Sequence, residues 1–527
     1  MTNNVTDKIQ EMEWALECAS RIIKKKHESS SRQLRKLQAS DVLLTDLKRQ
    51  LAEKDDFLRK LMGSICRITA VDSGNNRPHS ITSRISVIIP VRNGGERLKD
   101  LLGKIRSQKK VLDVEIIIVD SESTDNSVQI GEEFGAKIIP ILESEFNHGG
   151  TRTLGAQHST GDYLVFTVQD AIPVSNYWLY TMICPFISHP ELAALSAKQF
   201  IKPEADLFSL WSHERMAAFL GFQGDTMYSL SVGPGDADWR YFDSKTKRIM
   251  TFFDDVSSCI RRDVFQEFKF RPVINAEDID FGTRLLENRK PMAYLTSTGV
   301  YHWHENGADD VFKRNYIGTK AQVYILENHM SNYFDLHGIN LNRMAEHISG
   351  MYKLISVCIA EMGAVVPNPI AAINSFVKSL KKWLDSSPND TELKWNRIKE
   401  KSGSAFYSLI NELFVDIPLD LEQQYNFKQN CLTSMFMHHI EEFAAYLCQS
   451  QQSLQGREDE LIDSIYKLFA IEAGTKLGLY YLEVEMLDRL TPLHQRIDHL
   501  LARGVCYSQE MDTEDSLVET EKTYIGQ

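Results

Sequence analysis

The chain lacks several things, and each absence narrows what it can be. Its eight cysteines are scattered from Cys18 to Cys506 with no Cys-x-x-Cys pair. That excludes a zinc ribbon or a disulfide framework and reads as reduced thiols in a cytoplasmic protein. No apolar run approaches the roughly 20 residues of a membrane-spanning helix. The opening MTNNVTDKIQEMEWALECAS has no apolar core, so a secretory signal is not expected there. Positive charge is not in excess either. Lys and Arg total 59 against 72 Asp and Glu, a net charge of −13, which argues against nonspecific binding to nucleic acid or an anionic membrane. Core material is not scarce: hydrophobic residues make up 43% of 527, enough for several folded domains.

Proline is absent before Pro78. In that stretch Leu37, Leu44, Leu51, Leu58 and Ile65 recur every seven residues, and Leu47, Leu61 and Ile68 follow at a three-residue offset. This is an a/d heptad seam, broken by Ser40 and Lys54. An amphipathic helix lying on the protein's own body and a self-associating coiled coil both fit. More than four heptads flanked by charge favour the coil, and with it a homo-oligomer. Residues 1–70 are therefore expected as an N-terminal helical segment.

The Gly-, Asn- and Ser-rich stretch 71–84 reads as a linker. Beyond it, short apolar runs alternate with helical patterns. Strands are expected at Ile85–Ile89, Val114–Val119, Lys137–Leu142 and Tyr163–Val168, with helices at Glu96–Gln108 and Ser127–Phe134 between the first three. Continuous apolar strands separated by helices imply an α/β domain with a parallel sheet covered on both faces. Ligands of such sheets sit at the carboxyl ends of the strands. From about residue 331 to 507 the pattern becomes helical throughout, over 342–362, 368–385, 392–414, 427–450 and 458–503. Residues 508–527 read as a polar tail.

The strand ends carry the candidate chemistry. The first runs into Pro90-Val91-Arg92-Asn93, the second into Asp120-Ser121-Glu122-Ser123. A carboxylate there can accept from a base imide or a ribose hydroxyl, although Asp and Ser also suit plain turns and N-caps. In Phe146-Asn147-His148-Gly149-Gly150-Thr151-Arg152, two glycines permit close backbone approach and Arg152 can pair with phosphate. The fourth strand ends in Val168-Gln169-Asp170, where one carboxylate suits a divalent cation on a diphosphate. The acids of Glu277-Asp278-Ile279-Asp280 either complement a helix dipole or include a general base. His302-Trp303-His304 would place both imidazoles on one face if it were a strand. His438-His439, in an apolar helical stretch, reads as structural. Trp239 and Tyr241, in the loop Ser231–Asp243, and Arg261-Arg262 are weaker candidates for an acceptor site.

Taken together and in order, FNHGGTRTLGA, VQDAIP, SSCIRRDVF, AEDIDFG and YHWHENG…FKRNYIGT make residues 84–325 resemble an inverting family 2 glycosyltransferase of the GT-A fold, closest to bacterial rhamnosyltransferases. The resemblance implies a GT-A domain over 84–330. It also implies a cytoplasmic enzyme, peripheral at the inner membrane face, that moves a sugar from a nucleotide donor to a glycan or lipid-linked glycan. Pro90, Arg92, Asp120, Ser121, Glu122, Asn147, Gly149, Arg152, Gln169 and Asp170 would line the donor pocket. Asp170 with His302 or His304 would hold Mg2+ or Mn2+. Asp278 would be the catalytic base, with Glu277 beside it. The first aspartate of the family's metal motif is replaced by Val168. A UDP-hexose donor, or a non-catalytic scaffold within a glycan-assembly complex, is the alternative reading.

Overall fold

The computed structural model describes residues 69–71, 78–222, 224–232, 242–273, 275–326, 339–362, 369–385, 404–417, 430–450 and 456–502. The described residues, all of them beyond Arg67, form one compact unit. The heptad seam, the polar tail and the loop with Trp239 and Tyr241 lie outside the described residues.

Strands β1 (Thr69–Val71), β2 (Ile85–Val91), β3 (Val114–Ser121), β4 (Lys137–Ile141), β5 (Tyr163–Thr167), β6 (Ile172–Pro173), β7 (Ala194–Phe200), β8 (Met227–Leu230), β9 (Ser257–Arg261) and β10 (Met292–Tyr301) form one sheet. Its order is β1-β8-β10-β7-β9-β5-β2-β3-β4, with β6 paired to β10. Strands β5, β2, β3 and β4 run parallel, as the alternating pattern predicts. The sheet as a whole is mixed: β9 lies antiparallel between β5 and β7, and β8 is antiparallel to β10. Ser257, Ser258, Cys259 and Ile260 of β9 are all buried. An unbroken buried run reports cover on both faces, not strand direction.

Helix α1 (Gly95–Arg106) buries Leu98, Leu101, Leu102 and Ile105, the 3–4 spacing of one helical stripe, against the sheet. Helices α2 (Ser127–Glu133), α3 (His148–Gln157), α4 (Trp178–Ser188), α5 (Leu207–Leu220), α6 (Ser244–Met250), α7 (Arg262–Phe268), α8 (Glu277–Glu287) and α9 (Ala308–Ile325) complete this half. The expected linker at 71–84 is in part built in: Val71 pairs with Met227, and buried Ile81 bridges Val111.

The helical region contains α10 (Leu341–Met362), α11 (Pro369–Asp385), α12 (Ala405–Leu413), α13 (Thr433–Gln449), α14 (Glu458–Met486) and α15 (Pro492–Ala502). The single pattern over 458–503 is two helices, broken where Asp488 takes a left-handed φ of 53° and restarted at Pro492. Helix α14 lies close along α9. A Cβ on Gly478 would meet the Tyr316 carbonyl oxygen at 2.8 Å, and one on Gly474 would collide with that of Phe312. Leu207 and Trp211 of α5 belong to the same apolar cluster as the helical region.

Candidate active site

The carboxyl ends of β2, β3 and β5 meet. Gln169 ties two of them: its Nε2 donates to the Arg92 carbonyl at 3.0 Å and its Oε1 accepts from the Arg92 amide at 2.8 Å. Asn93 and Glu122 adopt left-handed φ values of 50° and 54°. The Asn93 amide donates to Ser123 Oγ at 2.9 Å, and its Oδ1 accepts from the Thr124 amide at 2.8 Å. Glu122 Oε2 accepts from the Glu143 amide at 2.8 Å. Asp120 Oδ2 accepts from the Ser123 amide, whereas Asp120 Oδ1 and Ser121 Oγ are buried with no partner among the described residues. Buried polar atoms left unpaired are costly, and such groups at a strand end suit a polar ligand. The Arg92 guanidinium is held by Glu143, and Pro90 lies within β2 opposite Val119.

Asp170 follows β5 and meets the two histidines that follow β10. Its Oδ1 is 3.7 Å from His302 Nε2 and its Oδ2 is 4.0 Å from His304 Nδ1. The possible ligand atoms of these three residues lie within 4.8 Å of one another. The histidines sit beyond the last residue of β10, yet their rings meet edge to face at 4.5 Å. His302 Nδ1 is 2.7 Å from Gln199 Oε1, and Gln199 Nε2 donates to Asp254 Oδ2 at 2.6 Å. Since the Gln199 amide nitrogen is spent on Asp254, Nδ1 of His302 must be the protonated nitrogen. That leaves the lone pair on Nε2, facing Asp170. His302 Nε2 is buried and otherwise unpartnered among the described residues. Burial first, then His304, pushes the His302 pKa down to about 4, so the ring is neutral near neutrality. This donor set of one carboxylate and imidazole lone pairs fits a divalent cation. Arg97 Nη1 lies 3.8 Å from Asp170 on the outer side.

The acids of α8 lie in a third cluster. Ala276 precedes the helix at φ 64°, a strained conformation for a residue with a Cβ. Arg152, 4% exposed, places its Nη1 3.2 Å from Glu277 Oε1 and its Nε 2.9 Å from Asp255 Oδ2. Burial, then the neighbouring Asp255, raises Glu277 well above the usual carboxylate range. The same two causes raise Asp278 to about 7, opposed by Arg248. Burial raises Asp254 to about 6. Asp254, Asp255 and Asp278 line a cavity of about 530 Å³ together with His302 and His304.

The Glycosyl transferase family 2 model matches residues 86–266. YibD, named an uncharacterized glycosyltransferase of Escherichia coli (strain K12), is 33% identical over 269 residues, 48% of this chain and 73% of that protein. The chain belongs to glycosyl transferase family 2. Two other proteins similar to it are named O-antigen chain rhamnosyltransferases. RfbN of Salmonella typhimurium is 29% identical over 235 residues, 44% of this chain and 70% of that protein. WbaN of Salmonella anatum is 30% identical over 204 residues, 38% of this chain and 60% of that protein. This family 2 member thus has a GT-A core followed by a helical region. Among the described residues, no helix is long and apolar enough to cross a membrane.

Several expected site residues of this glycosyltransferase have structural partners of their own. Asn147 caps α3, its Oδ1 accepting from the Gly150 amide at 2.9 Å and its Nδ2 donating to the Val273 carbonyl. A Cβ on Gly149 would collide with the Arg271 carbonyl oxygen, so this glycine lets α3 dock on the segment leading to Glu277. Arg152 pairs with the carboxylates of Asp255 and Glu277. Arg261 and Arg262 lie at the far end of β9 from Asp170, because Arg261 pairs with Tyr163 at the start of β5. They hold Asp263 and the Gly161 carbonyl. Gln199, Arg248, Asp254 and Asp255 escaped the sequence reading. The one local signal was Phe252-Phe253-Asp254-Asp255, two acids leading from apolar residues into a strand.

Proposed function

We propose that this glycosyltransferase moves L-rhamnose from dTDP-rhamnose to a hydroxyl of a growing surface polysaccharide or glycoconjugate, inverting the anomeric centre. The observation that carries the reading is a carboxyl held near pKa 7, Asp278, sharing one cavity with His302 and His304. A general base works best when its pKa lies near the working pH. The rhamnosyltransferase names of RfbN and WbaN support the donor sugar.

Asp120 and Ser121, with unspent polar atoms, are suited to base and ribose. Asp170 and His302, with His304, would hold Mg2+ or Mn2+, whose charge when bound stabilises the departing diphosphate. Asp278 takes the proton of the acceptor hydroxyl as that oxygen bonds to the anomeric carbon and the bond to the diphosphate breaks. With no enzyme nucleophile intervening, the configuration inverts. Glu277, locked to Arg152, keeps the base in a partly buried acidic setting. Residues 37–68 would join copies of the chain.

The deciding experiment incubates purified protein with dTDP-rhamnose and a panel of UDP- and GDP-hexoses, with mass detection of released or transferred sugar. Turnover of dTDP-rhamnose is expected. Turnover of a UDP-hexose alone would change the donor, and no turnover of any donor would leave a scaffold and remove the reading.

A further inference from the structure

We propose that the helical region is the rear half of the acceptor site, with Lys467 as its positioning residue. This rests on the transferase reading above. The cavity that Asp254, Asp255 and Asp278 line is also walled by α5, whose residues Phe208, Ser212, Met216 and Leu220 line it at four-residue spacing. That spacing is one face of a helix. The opposite face does not contact the cavity and is held from behind by α13 and α14.

The hold is concentrated at the start of α5. Asp206 caps the helix, its Oδ1 accepting from the Phe208 and Ser209 amides at 3.1 Å each. Lys467, on α14 and 4% exposed, sits with Nζ 3.4 Å from that oxygen and 2.7 Å from Asp463. A cation is disfavoured at a helix N-terminus, and a buried ammonium is costly unless paired, so the Asp206 carboxylate must stand between them. Glu460 accepts from the Leu207 amide at 3.3 Å. Ser209 Oγ donates its one hydrogen to Asp206 Oδ2 at 2.5 Å, with the His304 carbonyl oxygen 3.2 Å away on the other side. A polar chain thus runs from Lys467 through Asp206 to Ser209, inside the first turn of α5. Further along α5, Arg215 contacts His439 at 3.0 Å and Glu442 at 3.4 Å on α13, while Trp211 packs edge-on against Phe443.

The wall that meets the acceptor is therefore carried by residues far from the reaction. Among the described residues, the strand ends of β2 and β3, on the proposed base and ribose side, share no link in this chain. Altering Lys467 should shift acceptor binding and spare nucleotide binding.

The test uses the full chain with Mg2+. The acceptor probes are p-nitrophenyl glycosides of α-L-rhamnose, β-D-glucose, β-D-galactose and N-acetyl-β-D-glucosamine, titrated by ligand-observed NMR in the presence of dTDP. Affinity for dTDP is read by calorimetry. At least one glycoside should bind wild type. Lys467→Met should weaken it about tenfold, and Lys467→Arg should restore it to within about twofold. Affinity for dTDP should stay within about twofold in both. Arg215→Gln, at a half-exposed position, should weaken the glycoside about threefold and serves if Lys467→Met does not fold. The proposal is overturned if no glycoside binds, if glycoside and dTDP affinities fall together, or if neither changes. Failure of wild type to bind dTDP would sink the donor reading instead.

Discussion

On the side of the cleft proposed for the nucleotide, the polar groups come from the ends of neighbouring parallel strands, at residues 90–93, 120–123 and 169–170. Hydrogen bonds between adjoining strand-end turns fix most of them, such as Gln169 with Arg92 and Asn93 with Ser123 and Thr124. On the other side Arg152, Gln199, Asp254, Glu277 and His302 come from separate elements and are held by one another. The first side is organised by strand ends and turns, the second by buried charge. Burial displaces the titrations of the second side, leaving His302 neutral and Asp278 protonatable near pH 7. A transferase needs both: one surface that recognises, and one whose protons can move.

The largest effect that separates the sides is expected at Asp278. Asp278→Asn should lower transfer by about 10²–10⁴-fold in initial-rate assays, with dTDP affinity unchanged. Wild-type turnover should rise with pH to a plateau above about 7. Because the Asp278 value is raised from 3.8 to about 7, proton binding stabilises the folded state. That contribution is complete below about 4 and is lost as pH rises through 7. Asp278→Asn should therefore melt higher than wild type at pH 8, with the gap closing towards pH 4; calorimetric melts over that range check it. Next comes Arg152→Met, which strands Glu277 and Asp255 without their guanidinium and should cost about 3–5 kcal/mol in denaturant titrations. Asp170→Ala or His302→Ala should weaken Mg2+-dependent donor binding about 10–100-fold by calorimetry, a difference that EDTA should erase. Smallest is Gln169→Leu, which deprives the Arg92 amide and carbonyl of their partners. It should lower stability by about 1–3 kcal/mol and raise the donor KM by less than tenfold.

The sequence showed the first side more plainly than the second. Strands at 85, 114, 137 and 163 were legible because each is a short apolar run ending in turn chemistry, and helix boundaries fell within two residues for α1, α10 and α11. Asp170, Asp278 and the two histidines were legible only as an ordered set of motifs. What stayed hidden depends on partners distant along the chain. Nothing around Gln199 announces that its amide will orient an imidazole at position 302. Nothing near Arg152 says that it will meet carboxylates from residues 255 and 277 before any phosphate. Antiparallel β9 was missed for a related reason, since its buried run has no direction until its neighbours are known.

Gly474 and Gly478 let α14 lie on the backbone of α9, which begins four residues beyond His304. A single methyl group at either position would act as a wedge, prying α9 away and dragging the histidine loop with it. Two hydrogens on a remote helix thus act as a spacer gauge for the mouth of the cleft, and drift in the C-terminal half is disciplined by a loop it never touches at those positions.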